Sequence, residues 1–238
     1  MNNLLNLIKG ELVRLYKYKI LVIGIAVSFI WVIIIALSDA TTAKELVPLL
    51  IFMDAAMMSI ILHASSFYLE KQEGTIKTLL VAPVNIMDII IAKAVAALIL
   101  GLISATVVTL SAILFHQVTI QIVLLFIYII IIVVSHTAIG FAITLYSKDF
   151  GAMIVNYALF ALVALIPSLL IGIKVIPETY SNIMLVSPSH AGQMLLNSTV
   201  GTVDIWVIMI AIVYLVSITG ILYRFIIYKK FKEYAIEG

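Results

Sequence analysis

Six long apolar runs, separated by short polar connections, constrain the fold of this chain more than any other feature. They cover residues 20–37, 46–68, 94–114, 120–146, 151–173 and 205–227. About 20 apolar residues suffice for an α-helix to cross the hydrocarbon core of a bilayer. Only 11% of the residues are charged and 64% are hydrophobic, so a water-soluble surface is excluded. The sequence predicts an all-α polytopic membrane protein with six transmembrane helices, forming a single domain over residues 1–238.

The first 19 residues carry a helical pattern of a different kind. Apolar side chains recur at helical spacing on one face, at Leu4, Leu5, Ile8, Leu12 and Leu15. Polar side chains point elsewhere, at Asn6, Lys9, Arg14 and Lys17. Such a pattern predicts an amphipathic helix over residues 1–19 that lies at the membrane surface. A merely solvated basic leader is the competing interpretation. A cleaved signal peptide is disfavoured, because the run at 20–37 is longer than an ordinary signal core.

The basic residues are distributed unevenly among the connections. Two of the 14 basic residues, Lys44 and Lys174, fall in the connections on one side. The other twelve fall on the opposite side, at Lys9, Arg14, Lys17, Lys19, Lys71, Lys77, Lys93, Lys148, Arg224, Lys229, Lys230 and Lys232. Cytoplasmic connections carry an excess of lysine and arginine. The distribution therefore predicts that both termini, the 70–93 stretch and the 147–149 turn are cytoplasmic.

The 70–93 stretch is the longest interior segment that carries charge. Gly74 is expected to end the helix that leaves the second span, because glycine favours the position after a helix C-terminus. Thr75 can cap a new short helix over residues 76–81, which Pro83 ends. These breaks predict a short helix parallel to the membrane, and a plain connecting loop is compatible with the same residues.

The same stretch resembles a known family. The string Glu70-x-x-Glu73-Gly74-Thr75-Ile76-x-x-Leu79-Leu80-x-x-Pro83-Val84, followed by Lys93 at the start of the third span, is similar to the segment after the second helix of ABC-2 type permeases. The six-span layout, the amphipathic N-terminal helix and the long connection between the last two spans also match. The resemblance therefore covers the whole chain, and its specific part is the 70–93 stretch.

The resemblance implies a function and a set of coupling residues. ABC-2 permeases are the membrane subunits of ATP-driven exporters, and their short cytoplasmic helix docks on the ATPase subunit. Carried over to this chain, the coupling residues are Glu70, Glu73, Gly74, Thr75, Leu79, Leu80 and Pro83. The resemblance also implies an outer helical hairpin within residues 174–203, with Pro188, Ala191, Leu195 and Leu196 in it. An ordinary surface loop is the alternative for that region.

The partners expected from the resemblance follow from what the chain lacks. It contains no G-x-x-x-x-G-K-[ST] motif, so it cannot cradle nucleotide phosphates itself. ATP and magnesium would then be bound by a separate ATPase subunit present in two copies, and this chain would bind no cofactor or metal and would not be an enzyme.

A second permease subunit is also expected, either another copy of this chain in a homodimer or a similar permease. We expect a multi-pass protein of a bacterial plasma membrane, with the lipid bilayer and no nucleic acid as a partner. Its nearly uncharged spans favour a lipophilic or amphipathic cargo.

Asp54 is the acidic residue deepest within the second apolar run. An ionisable side chain inside a membrane is costly to bury and is therefore a functional candidate. Asp54 and Met58 share a helical face and are the candidates for a substrate or ion pathway. Pairing with a neighbouring helix is the structural alternative for Asp54. A stand-alone ion-coupled secondary transporter or channel, with Asp54 as its ion site, is the rival function.

Small residues repeat at four-residue spacing in the third run, at Ala97, Gly101 and Ala105. A stripe of small side chains lets another helix backbone approach closely. The sequence therefore predicts a close helix contact along this face.

Overall fold

The computed structural model describes residues 2–75, 78, 84–172 and 175–237, which form helices joined by short connections. No strand occurs in these ranges. The helical segments are α1 (Asn2–Lys17), α2 (Ile20–Leu37), α3 (Ala40–Ile51), the π-helix π1 (Phe52–Met58), α4 (Ser59–Gln72), α5 (Ile86–His116), α6 (Ile122–Tyr146), α7 (Phe150–Gly172), a 3-10 turn (Glu178–Tyr180), α8 (Ser181–Met184), α9 (Pro188–Asn197), α10 (Ile205–Ile221), the π-helix π2 (Leu222–Ile227) and α11 (Tyr228–Glu237).

Five helical stretches in the described part of the chain are long and apolar enough to cross a membrane. They are Ile20–Leu37, Ile86–His116, Ile122–Tyr146, Phe150–Ile171 and Ile205–Glu233. Each contains or overlaps one of the predicted runs, so the prediction of an all-α, multi-pass membrane protein is confirmed. The second predicted run, 46–68, is not among the five. It falls on α3, π1 and α4, which have 12, 7 and 14 residues.

These three segments follow one another without a break. Phe52 and Met58, at the two junctions, both have right-handed helical backbone angles. Residues 40–72 therefore form one composite helix, on the order of 50 Å long at 1.5 Å per residue. The π-helical segment changes the register of the side chains in the middle of the composite helix but does not interrupt the helix.

The composite helix runs from one end of the bundle to the other. At its start, Ala40 and Lys44 line a crevice together with residues of the α5–α6 and α9–α10 connections. Near its end, Phe67 packs in a cluster with Ile89 at the start of α5 and Phe231 of α11. Leu7 of α1 packs against this second cluster. We call the end of the bundle that holds α1, the last turns of α4 and α11 the basic end.

One helix boundary differs from the prediction, and one predicted break is present. The third apolar helix begins at Ile86 rather than near residue 94, because the Asn85 side chain accepts a hydrogen bond from the Met87 N–H at 3.0 Å and caps the helix there. Lys93 therefore lies inside α5. The predicted break after the second run is present: Gly74 has φ +71°, a left-handed conformation that favours glycine.

The region between the last two apolar helices contains a buried helix rather than an exposed loop. Pro188 occupies its first turn, where a missing N–H costs nothing. Ala191, Leu195 and Leu196 are fully buried. A Cβ on Gly192 would lie 2.9 Å from the Phe52 ring, so α9 approaches π1 as closely as a glycine allows.

The predicted face of small residues on α5 is a close-packed interface. Ala97 and Ala105 are buried. A Cβ on Gly101 would lie 2.8 Å from Val133 Cγ2 of α6 and 3.1 Å from the Ala55 carbonyl oxygen of π1. Only a glycine at this position permits the observed spacing of the three helices.

We expect Gly101→Leu to lower the free energy of unfolding by about 1–3 kcal/mol, because the added side chain overpacks a filled interface. Denaturant-dependent unfolding in detergent measures this change. Gly220→Leu is the matched control, since a Cβ there meets nothing within 4 Å. Equal stability of the two variants would contradict the close approach at Gly101.

Candidate coupling site

Four charged side chains from three helices meet inside the basic end of the bundle. Glu11 and Arg14 belong to α1, Glu70 to the last turn of α4, and Lys93 to α5. Glu70 is 0% exposed, Lys93 1% and Glu11 3%. Buried charges are rare unless they are paired. We call this group the ion cluster, and its four charges must stabilise one another inside the fold.

The ion cluster is a closed ring in which each carboxylate touches both cations. Glu11 Oε1 lies 3.0 Å from the Arg14 guanidinium and 2.9 Å from Lys93 Nζ. Glu70 Oε2 lies 2.8 Å from the same guanidinium and 2.5 Å from Lys93 Nζ. Two negative and two positive charges cancel, so the bundle holds no net charge at this place.

The spacing of Glu11 and Arg14 explains how α1 contributes two members of the ring. Glu11 and Arg14 are three residues apart, so both project from the same side of the helix. That side is held against α5, because Leu15 is buried in a cluster with Ala96 and Leu100. The hydrophobic packing of α1 therefore fixes the position of both charged groups.

The predicted faces of α1 were partly wrong. Arg14 was placed on the solvated polar face, whereas it pairs with Glu70 inside the bundle. Leu5 was placed on the apolar face, whereas it is 60% exposed. The pattern of apolar residues does not reveal that an acid, Glu11, lies in the middle of the buried stripe.

The surroundings of the ring stabilise its charges further. Lys93 Nζ lies 5.6 Å from the centre of the Phe67 ring, a distance at which a cation is attracted to the aromatic face. The Ser66 hydroxyl donates to Glu70 Oε1 at 3.4 Å. Burial disfavours the charged form of Arg14, but Glu11 and Glu70 outweigh this effect and raise the pKa of Arg14.

A second polar contact joins Tyr18, the residue that directly follows α1, to the chain just after α4. The Tyr18 hydroxyl donates to Glu73 Oε2 at 2.5 Å. Burial of the phenol, together with this bond, raises the pKa of Tyr18 to about 12. The hydroxyl therefore remains a donor at all physiological pH values, and α1 is attached to residues 70–73 at two points.

The predicted coupling residues occupy different environments. Glu70 is turned into the bundle, while the Glu73 side chain is exposed and Gly74 and Thr75 are half-buried. Leu79, Leu80 and Pro83 lie outside the described residues, as does most of the predicted 76–81 helix. No sequence pattern pairs Glu11 or Arg14 with Glu70. A glutamate among apolar residues at i±4 on α1 was the one signal of a buried acid.

Asp54 and Met58 lie at a separate place, about 24 Å from Glu70 along the composite helix at 1.5 Å per residue. Both line a small cavity between the composite helix, α2 and α5. Asp54 is 2% exposed and lies 2.5 Å from the Ser28 hydroxyl oxygen of α2. The structure thus brings the two predicted pathway residues together, and it separates them from the ion cluster.

Comparison with protein-family models gave no match, and comparison with curated proteins gave no significant match. The ion cluster is therefore interpreted from its own geometry.

We expect Lys93→Met to lower the free energy of unfolding by about 3–5 kcal/mol, because it leaves two buried carboxylates with a single cation. Unfolding in detergent measures the change, and Lys232→Met at the exposed surface is the control for loss of one lysine charge.

The double variant Glu70→Gln/Lys93→Met tests whether the two side chains act as a pair. Its destabilisation should be smaller than the sum of the two single changes, since removal of both partners leaves no stranded charge. Additive destabilisation would contradict the coupling of Glu70 and Lys93.

Proposed function

We propose that this chain is the membrane-spanning permease subunit of an ATP-driven ABC exporter. In this proposal the 70–93 stretch receives force from a separate ATPase subunit. One observation carries the proposal: the buried ion cluster ties the beginning of that stretch to α1 and α5. A connecting loop without a mechanical role needs no such attachment.

The geometry of the ion cluster suits the transmission of force. Glu70 lies only four residues before the helix break at Gly74, so a push on the segment beyond Gly74 acts directly on the ring. Removing a partner from a buried ion pair costs about 3–5 kcal/mol. The attachment therefore withstands displacement, and α1, α4 and α5 move together when the stretch moves.

The energy for transport comes from the partner in this proposal. Two copies of the ATPase bind and hydrolyse ATP with magnesium, and their closure pushes on residues 70–83. A second permease copy, either identical or similar, completes the translocation pathway. The apolar character of the spans favours a lipophilic or amphipathic cargo that leaves the cell.

We also propose that the composite helix is the sixth membrane crossing, which gives the ABC-2 type fold. It runs the length of the bundle, and the helices before and after it are apolar enough to span. With six crossings both termini lie on one side. The excess of basic residues there supports the cytoplasmic side of a bacterial plasma membrane.

Ion-coupled transport without an ATPase is the second candidate function. It is favoured by the buried carboxyl group of Asp54, which has no cationic partner among the described residues. Transport by the purified chain in liposomes without ATP would establish this alternative and overturn the exporter proposal. Co-purification with an ATPase subunit, and transport only when that subunit hydrolyses ATP, is the result expected for an exporter.

The proposed topology is testable because the chain contains no cysteine. We expect single cysteines at Lys9 and Lys232, which are exposed at the basic end, to react with an impermeant thiol reagent only when the cytoplasmic side is accessible. A cysteine at Thr119, exposed at the other end of the bundle, should react from outside. Labelling of Lys9→Cys and Lys232→Cys from opposite sides would contradict six crossings.

The role of Glu73 is testable in the assembled complex of permease and ATPase. We expect Glu73→Ala to keep ATP hydrolysis but to reduce transport of a lipophilic dye per ATP hydrolysed, because an exposed contact to the ATPase is lost. Tyr18→Phe is the matched control, since it removes only the internal hydrogen bond to Glu73. Equal loss of coupling in both variants would show that Glu73 only braces α1.

A further inference from the structure

A second buried polar site lies in the middle of the composite helix, within π1. Asp54 is 2% exposed, Ser28 of α2 is 1% exposed and Ser104 of α5 is 7% exposed. Three helices thus bring one carboxyl group and two hydroxyl groups together, away from water. π-Helical segments occur frequently at functional sites, and this one carries the buried acid.

The cavity beside Asp54 is small, and no cationic side chain lines it among the residues that the structure describes. Its volume is about 10 Å³, which is at the lower limit for a single water molecule. Apart from Asp54 itself its lining is uncharged, formed by Leu21, Gly24, Ile25, Ser28, Met58, Leu100, Ile103 and Ser104. An ionised carboxylate here would have no counter-charge from the described side chains.

Charged and titratable groups on the elements packed against π1 are engaged elsewhere or distant. α2 carries none, and Lys44 and Glu45 lie in the first turns of α3. Lys93 and Glu70 belong to the ion cluster. Four others contact different groups: His136 bonds to the Ile132 carbonyl, His190 to Ser168 and Ser181, His116 to the Ile35 carbonyl, and Tyr157 to the Met57 carbonyl. Tyr68, Lys71, Asp88 and Tyr146 lie near the ends of their helices, and Tyr128 packs in the hydrophobic core.

The single hydroxyl hydrogen of Ser28 faces two acceptors, the Gly24 carbonyl and the Asp54 carboxyl group. Its hydroxyl oxygen lies 3.2 Å from the Gly24 carbonyl oxygen, 2.5 Å from Asp54 Oδ2 and 3.3 Å from Ser104 Oγ. A serine hydroxyl has one hydrogen and two lone pairs. Serine in a helix commonly donates that hydrogen to the carbonyl four residues earlier, which here is Gly24.

If the Ser28 hydrogen is directed to Gly24, the short contact to Asp54 needs a hydrogen from the carboxyl group. A protonated Asp54 supplies it, and the Ser104 hydroxyl can donate to the second lone pair of Ser28. Each hydrogen and lone pair of Ser28 then has a partner, and no charge is buried.

We propose that Asp54 is a proton-binding site that joins α2 to the composite helix and α5. Loss of the proton to water leaves a buried anion without a counter-charge, which is costly in a low-dielectric interior. Water must then enter between α2 and α5 to solvate it. α2 lies at the edge of the bundle, with Ile23, Phe29 and Ile33 all at least 48% exposed, so it can move to admit that water.

The proposal goes beyond the ATP-driven function and does not depend on it. It assigns a proton as the ligand of a site more than four helical turns from the ion cluster. The consequence is a contact between α2 and the rest of the bundle that is strong when Asp54 is protonated and weak when it is not.

Infrared spectroscopy of the purified full-length chain in lipid nanodiscs tests the protonation state directly. We expect the wild-type spectrum minus that of Asp54→Asn to show the carbonyl band of a protonated carboxylic acid at pH 7, and this band should disappear at alkaline pH. Absence of the band at pH 7 would overturn the proposal. Ser28→Ala should shift the band, because it removes the acceptor of the carboxyl hydrogen, and it provides the comparison if Asp54→Asn does not fold.

Thermal unfolding gives an independent test. If the folded state holds a proton that the unfolded state releases, stability falls as pH rises. The unfolding temperature of the wild type should therefore drop by several degrees between neutral and alkaline pH, relative to that of Asp54→Asn. An unfolding temperature that rises with added sodium or potassium in the wild type, but not in Asp54→Asn, would instead show a cation site and overturn the assignment of a proton.

Discussion

The ring of Glu11, Arg14, Glu70 and Lys93 is the interaction on which the basic end of this molecule depends. Each of these charges would be costly to bury alone, and the arrangement is stable only when all four are present. The ring therefore specifies one relative position of α1, α4 and α5. Apolar contacts around Leu15 and Phe67 alone would tolerate small slips between these helices, whereas four ion pairs at 2.5–3.0 Å do not.

The two buried polar sites use opposite solutions to the same physical problem. In the ion cluster, charge is retained because opposite charges cancel within a few ångströms. At Asp54 no cation is available among the described side chains, and we propose that a proton removes the charge itself. The first solution gives a permanent attachment, since its partners are all part of the chain. The second gives a reversible one, since its partner can leave.

The sequence predicted the helical class and the positions of most apolar helices, because hydropathy and helix length depend on local composition. It also placed the break at Gly74, since a left-handed conformation favours glycine. It did not predict the ring, because Glu11 and Arg14 are far from Glu70 in sequence and no local pattern pairs them with it. Nor could it show π1, because no local residue pattern of 52–58 marks a π-helix. The identity of the coupling residues stays a prediction from the resemblance, and Leu79, Leu80 and Pro83 lie outside the described residues.

The central claim is that α1 and the end of α4 move as one body when the 70–93 stretch is displaced. Pulsed electron paramagnetic resonance on the complex with its ATPase measures this directly. Spin labels would be placed on Lys9→Cys and Gln72→Cys, both exposed, with Val213→Cys of α10 as a reference. The account predicts an unchanged distance between residues 9 and 72 in the nucleotide-free and ATP-trapped states, while the distance between residues 72 and 213 changes. A changed distance between residues 9 and 72 would contradict it.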